Sequence, residues 1–319
     1  MPAHDEGAFP AHGPAPARRR LLLVADPRQL DSVTARRRIA AHLREMDLVV
    51  ETGRSEEREW IWRGADRPDA ALVCDLPAVA QALTARGVPV VYLHSGYRAQ
   101  GLPAVTAAAV RAHAPAWLPG PRVAGPGGAR PTGLLAPARL VRDRTRTGCL
   151  LLVSVHQVPG RDLAAFADGP LRAVAEEAVH RTGRCDVVCD GEAETTAAAL
   201  AHTTGVRVHD ARTVDVDALH AAARVFVASP TLTALTLAQS RGAPLALLPP
   251  LDHDQDDLAR RTRQAVRVPT VTDPADPALW SPADADARSA WSGLGPDDLR
   301  GAQRVARTLR QLALAPIAF

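Results

Sequence analysis

Short, unbroken apolar runs alternate with longer helical patterns along most of this chain, and that alternation limits what it can fold into. In the first half the runs fall at 21–25, 48–50, 70–74 and 88–93. In the second they fall at 149–155, 185–189, 206–208, 225–227, 245–248 and 266–268. A strand covered on both faces has no polar side to alternate with, so it reads as a continuous run, whereas a half-exposed strand alternates. Helical patterns lie between the runs at 32–43, with arginines on one face, and at 76–85. They recur at 172–181, 195–203, 216–222, 233–241 and 255–264. Gly87 closes the second helix and Pro89 enters the next strand, as helix stops and strand starts do. Strand alternating with helix predicts βαβ units and parallel sheets.

The alternation breaks once, at 115–137, where Pro and Gly crowd out any regular element. With 319 residues, more than one ordinary core accommodates, the break predicts two α/β domains. The expected boundaries are a disordered tail at 1–19, a Rossmann-like domain at 20–133 and a linker at 134–147. A second domain follows at 148–275, then a C-terminal segment at 276–319. In that segment Asp297 and Asp298 are expected to open a last helix with Leu299, Val305, Leu309 and Leu312 on one face.

Composition narrows the function classes. Aromatic residues are 3% against 46% apolar overall, so Ala, Leu and Val must fill the cores. All 38 basic residues are Arg, spread among acids to a net charge of +3. A nucleic-acid surface needs a basic patch with aromatic platforms, and neither is visible. The first 19 residues lack the apolar stretch of a signal peptide, and no window reaches the ~18 apolar residues that span a bilayer. A cytoplasmic protein is expected, and four cysteines agree with a reducing compartment. Cys185 and Cys189 lie at the two ends of one expected strand, about 13 Å apart, too far to share an ion.

The order of pieces from 205 to 261 resembles the C-terminal domain of GT-B glycosyltransferases. Val206-Arg207-Val208 is followed by the 210–214 loop, a helix, and the strand Val225-Phe226-Val227. Ala228-Ser229-Pro230-Thr231-Leu232-Thr233 then opens a helix that leads to Gly242-Ala243-Pro244, an apolar strand ending in Pro249-Pro250, and Asp254-Gln255. The resemblance implies two Rossmann-like parallel-sheet domains facing one cleft, with a last helix that packs back onto the first domain. It also implies a nucleotide-sugar co-substrate, with no other cofactor. Within it, Thr213 and Val214 would meet the nucleobase, and Ser154, His156 and Gln157 the donor phosphates. Ser229, Thr231 and Thr233 feed a helix start, whose free amides and positive dipole end suit a diphosphate, although hydroxyls there also serve as plain caps. Asp254 and Gln255 offer acceptors for donor-sugar hydroxyls, or Asp254 an N-cap. Asp252 and Asp254 also spell Asp-x-Asp, the metal motif of another glycosyltransferase fold, but they follow a second sheet late in the chain, so no metal is expected.

Three positions depart from the GT-B pattern. Ser229 and Thr231 stand where the phosphate loop usually has His and Gly, and apolar Leu237 stands where a Glu grips the ribose. Gln239, two residues on, faces elsewhere on a helix. Across the whole chain, Pro68-Asp69-Ala70-Ala71-Leu72-Val73-Cys74-Asp75, the stretch from His94-Ser95-Gly96-Tyr97-Arg98 to Pro103, and Pro131-Thr132-Gly133 resemble proteins related to cytosylglucuronic acid (CGA) synthase. That resemblance implies transfer of glucuronate from a UDP donor to cytosine in nucleoside-antibiotic formation.

The acceptor base is expected at a strand end on the N-terminal side of the cleft. Asp26, with Asp31 as partner, is the first candidate, though its neighbour Pro27 equally suits a turn. His94 is the second, followed by Ser95 and Gly96, whose amides are expected to be free. Tyr97 and Arg98 would line an acceptor or carboxylate pocket. Asp75 and Asp190 end comparable strands without an assigned role. Two other outcomes stay open: a catalytically silent GT-B relative that binds a nucleotide or a partner enzyme, and a nucleotide-sugar epimerase using the 252–257 carboxylates.

Overall fold

The computed structural model describes residues 19–52, 67–119, 128–156, 158–191, 193–280, 284–294 and 299–315. The first half comprises β1 (Arg20–Ala25), α1 (Leu30–Ala40), β2 (Asp47–Thr52), β3 (Ala70–Cys74), α2 (Pro77–Ala85), β4 (Val90–His94), β5 (Ala109–Ala112) and β6 (Arg130–Pro131). Its strands form one sheet in the order β2-β1-β3-β4-β5-β6, every neighbouring pair parallel. The second half comprises β7 (Cys149–Val153), α3 (Gly160–Phe166), a π-helical turn at Ala167–Leu171, α4 (Arg172–Thr182), β8 (Cys185–Cys189), α5 (Ala193–Leu200) and β9 (Val206–Asp210). It continues through α6 (Val216–Ala222), β10 (Val225–Ala228), α7 (Leu232–Arg241), β11 (Ala246–Leu247) and α8 (His253–Ala265). The second sheet, β11-β10-β7-β8-β9, is also parallel throughout. Short helices α9 (Pro277–Trp280) and α10 (Asp284–Ser292) precede α11 (Gly301–Leu314).

The fold is therefore α/β with two separate parallel sheets, as the run pattern implies. Successive strand residues point to opposite faces, so each sheet needs a core on both sides. Leu21, Leu23 and Ala25 enter one core while Leu22 and Val24 enter the other. Around the second sheet, Leu150 and Leu152 face one core and Leu151 and Val153 the other. Cys185 and Cys189 are buried thiols of β8.

Several local expectations needed correction. The stretch at 266–268 is not a strand, although Leu247 bridges Thr270 just beyond it. β5 and β6 were not expected; both are short, and β6 lies in the Pro- and Gly-rich break. The chain before α4 also coils, because Gly169 and Pro170 sit inside a π turn instead of ending a helix. The 1–18 part of the expected tail, Gln157, Asp297 and Asp298 lie outside the described residues.

The C-terminal part divides its packing between the halves. Trp280 is buried in one second-sheet core and Trp291 in the other, the latter donating to the carbonyl of Ala243 (2.9 Å). α11 sets Val305, Ala306, Leu309 and Ala313 against Leu21, Ile39, Leu72 and Leu93 of the first core. The Gly301 amide that starts it donates to Leu134 O (3.0 Å).

α1 binds the two halves along its whole length, and its arginines do not face solvent as a surface helix would place them. Leu30 enters a core of the second domain, while Arg36 and Arg38 are buried. Arg37 donates to the carbonyls of Val214 and Arg212, and Arg38 grips Asp217 on α6.

Candidate functional site

Strand C-terminal ends and helix N-termini collect at one edge of a parallel sheet, which is why ligand sites form there. Here the edges of both sheets face each other. The loop from β1 into α1 and the loop after β4 supply Gln29, Asp31, Tyr97 and Arg98. The opposite wall is Ser154 and His156 after β7, Pro230 and Thr231 before α7, and Asp252, Asp254 and Gln255 at the start of α8. Seven residues expected at the site therefore meet in one place: Tyr97, Arg98, Ser154, His156, Thr231, Asp254 and Gln255. The cleft between the walls is about 50 Å³. Sites for small molecules are commonly ~300–1,000 Å³, so in this conformation the walls are nearly closed.

Their polar groups hold one another across the gap. Asp254 accepts from the Ala99 amide (2.8 Å) and pairs with Arg98 (3.3 Å). Tyr97 donates its hydroxyl to Asp257. Gln255 receives the Leu251 amide (3.2 Å) and donates to Ser154 O (2.9 Å). The N-cap of α8 is Asp252, not Asp254: its carboxylate accepts from the Gln255 amide (2.8 Å). Asp257 also pairs with Arg260 and Arg261, so the 252–257 carboxylates turn to separate partners and do not converge on one point.

At the start of α7, Thr231 is the N-cap and its hydroxyl accepts from Ala234 N (3.2 Å). Ser229 is fully buried and accepts from Ser154 N (3.0 Å), so its hydroxyl ties β10 to β7. Thr233 is buried, but its backbone amide reaches across the cleft to Asp31 Oδ1 (2.7 Å), and Leu232 N reaches Asp31 Oδ2 (3.3 Å). Leu237 lies in the core and Gln239 accepts from the Trp117 indole N–H (2.6 Å).

The other expected residues lie off the cleft. Asp26 is buried and accepts from the Arg28 amide (3.0 Å) while pairing with its guanidinium (3.3 Å). His94 is buried, with its ring edge-on to Tyr92 at 4.7 Å. Burial, helped by Arg98, holds its imidazole down at about 4, so it is neutral near pH 7. The Ser95 amide is not free: it donates to Asp75 (2.9 Å), whose backbone takes φ 58°, a left-handed conformation that Asp tolerates better than most residues. Thr213 and Val214 form a turn on Asp210 after β9, with Val214 O taken by Arg37.

Sequence reasoning missed Gln29, left Asp190 without a role, and named Asp31 only as a partner of Asp26, not as a contact to the other wall. Asp190 accepts from Val155 N (2.7 Å), Ser154 Oγ (2.7 Å) and, across the cleft, Leu30 N (2.9 Å). A strand-end carboxylate was the available signal; its partner in the other domain was not.

Burial pushes the Asp190 carboxyl up to about 7 and that of Asp75 up to about 6, with Asp31 adding repulsion to both. Asp31 is itself raised by burial, against the hydrogen bonds from Thr233 and Leu232. Such groups stabilise the fold fully only below about pH 4, and that contribution is lost as pH rises through their raised values. The melting temperature is therefore expected to fall from pH 5 to pH 8, with a shallower slope in Asp190→Asn. Calorimetry at four pH values checks this; equal slopes would count against it.

A family model described as CGA synthase-related protein matches residues 21–317. Among solved structures, the chain resembles the glycosyltransferase SnogD from Streptomyces nogalater with a TM-score of 0.54 at 15% identity, covering 93% of this chain and 99% of that one. Spinosyn rhamnosyltransferase SpnG bound to spinosyn aglycone gives 0.48 at 15% identity, covering 92% and 96%. Acinetobacter baumannii MurG gives 0.47 at 11% identity, covering 92% and 100%. A search of the curated proteins gave no match. Among the described residues no helix is long and apolar enough to cross a membrane. Two parallel sheets on the GT-B glycosyltransferase plan, matched by the family model over nearly their whole length, make this chain a member of the CGA synthase-related family.

Proposed function

We propose that the cleft takes a nucleotide-sugar and passes its sugar to a small acceptor. One observation carries this reading: the Leu232 and Thr233 amides at the start of α7 face the opposite domain and already hold an oxyanion, the Asp31 carboxylate. A donor diphosphate has the same chemistry and suits the same seat, where it would meet charge developing on the leaving group. Thr231, Ser154 and His156 flank that seat, and Arg98, paired with Asp254 in this conformation, would exchange that carboxylate for one on the sugar. UDP-glucuronate as donor and cytosine as acceptor are the specific form of the proposal, drawn from the family resemblance, and the setting would be nucleoside-antibiotic formation in the cytoplasm. His94, beside the lining residue Arg98, and Asp26, beside the lining residue His156, are the candidate bases. Both lie behind the walls of the closed cleft, so an acceptor would reach them only with the cleft open, and no metal or further cofactor is given a role.

A second reading has its own observation. Leu237, at the position where a ribose-gripping Glu is expected, is fully buried in the second core and cannot reach a ligand. This favours a relative that binds a nucleotide or partner without transfer. Calorimetry against UDP, TDP, GDP and their sugars, followed by mass spectrometry of mixtures with UDP-glucuronate and cytosine, separates the two. Transfer predicts UDP binding and a product with the mass of the cytosine–glucuronate conjugate. Binding without product supports the silent relative, and no binding to any nucleotide removes the donor reading.

A further inference from the structure

Helices α1 and α7 both begin at the cleft, and each has its first amide satisfied by a carboxylate from the opposite domain. Asp31, in the first turn of α1, holds Leu232 N and Thr233 N of α7. Asp190, at the end of β8, holds Leu30 N of α1. The N-cap of α1, Gln29, makes no side-chain cap bond of its own, so Asp190 fills that place from the other domain. The exchange is reciprocal: each domain caps a helix of the other.

We propose that this exchange is a self-inhibitory latch, in which Asp31 plugs the oxyanion seat of α7 and an incoming diphosphate must displace it while the domains part. The proposal rests on reading the cleft as a nucleotide-sugar site. A carboxylate tethered on a packed helix competes at high effective concentration, so a free anion binds more weakly than the bare seat would allow. Asp31 cannot step aside alone, because its neighbour Leu30 is packed in a core of the second domain. Leaving the seat therefore withdraws Leu30, breaks its bond to Asp190 and widens the cleft in one movement.

A second observation points to a ligand in the opened state. Gln29 lines the same cleft, is 8% exposed, and its Oε1 has no partner among the described residues. Its amide nitrogen sits where a Cβ on Gly96 would fall only 2.0 Å away, so the glycine leaves the space the side chain occupies. A buried acceptor without a donor is costly, and a ligand hydroxyl or amine would satisfy it.

The test uses the full chain, with Asp31→Ala and the closer isostere Asp31→Asn. Hydrogen exchange of peptides spanning 229–236 and calorimetry with inorganic pyrophosphate and UDP are measured on each. The latch predicts at least tenfold faster exchange of the Leu232 and Thr233 amides in Asp31→Ala, and at least tenfold tighter pyrophosphate binding, with Asp31→Asn intermediate. If pyrophosphate tightens while UDP binds to no form, the latch stands and the nucleotide reading falls. Should UDP bind wild type and both variants equally, with exchange unchanged, the latch is overturned and the nucleotide reading stands. Asp31→Asn keeps the test decisive if the alanine variant does not fold.

Discussion

Replacing Arg38 with alanine is expected to lower the melting temperature by on the order of 10 °C. Its side chain is only 2% exposed and ties Asp217 of the second domain to Leu135 of the first. The guanidinium bonds both oxygens of Asp217 on α6, at 2.6 and 3.0 Å, and donates to Leu135 O at 2.7 Å. Alanine would strand a carboxylate and a carbonyl in an interface that water reaches poorly. Breaking a buried pair on one side costs about 3–5 kcal/mol, far above the ~1 kcal/mol of an exposed pair, and each kcal/mol moves a cooperative unit of about 150–250 residues by about 2–4 °C. Asp217→Asn is expected to cost at least as much. Asp217 also faces Arg241, with Arg142 near, so the cations would lose the charge that balances them. A double variant with apolar residues at both positions is expected to recover part of the loss, because no lone charge remains. Scanning calorimetry reports the shift and small-angle scattering the separation of the domains. A drop of less than about 2 °C in Arg38→Ala would show that this pair does not hold the interface.

Adding a methyl group at Gly301 is expected to destabilise the chain even though alanine is the better helix former. A Cβ there would lie 2.5 Å from Leu134 O, 2.9 Å from Leu134 C and 3.2 Å from Gly133 O. These are backbone atoms and cannot rotate away. Helix propensity offers at most ~1 kcal/mol in favour of alanine, while forced overpacking costs ~1–3 kcal/mol, so the contact decides the sign. Valine adds two further methyls and is expected to be worse, by several degrees in melting temperature. The damage should be local at first: α11 lifts at its start, and amides around Val305 and Leu309 exchange faster. A Gly301→Val protein with unchanged melting temperature and protection on α11 would show that the helix start can shift at no cost.

How much was legible in the sequence depended on whether a residue's role was local. Leu21 to Val24 and Leu150 to Val153 are covered on both faces, so they read plainly as buried parallel strands. The turn from β10 into α7 follows from that alternation, so Thr231 was expected at the helix start that it caps. Where the pattern was weak, reading failed. β5 is short with three half-buried residues, and β6 is two residues in a Pro- and Gly-rich stretch. Gly169 and Pro170 carry breaker chemistry, yet the chain coils through them as a π turn that buries Ala167 and Leu171. The cleft was read in outline but not in its partnerships. Asp31 and Leu232 are 201 residues apart, and Leu30 and Asp190 are 160 apart. Nothing in the period or composition of either helix says which carboxylate from the other domain will cap it.

The contact between Gly301 and Leu134 has a mechanical consequence. The chain leaves the first domain between Leu135, in the core of the first sheet, and Asp143, whose amide bonds Ala221 O on the second. It returns between Leu294, packed on the second core, and Gly301, which meets Leu134 beside the outgoing segment. A single covalent crossing would let two bodies twist, slide and part independently. Two neighbouring crossings act more like a door hinge, and rotation about the line through them is the expected easiest motion. The carboxylates on the facing walls are then expected to withdraw in step, so a single angle between the domains would track the opening of the cleft.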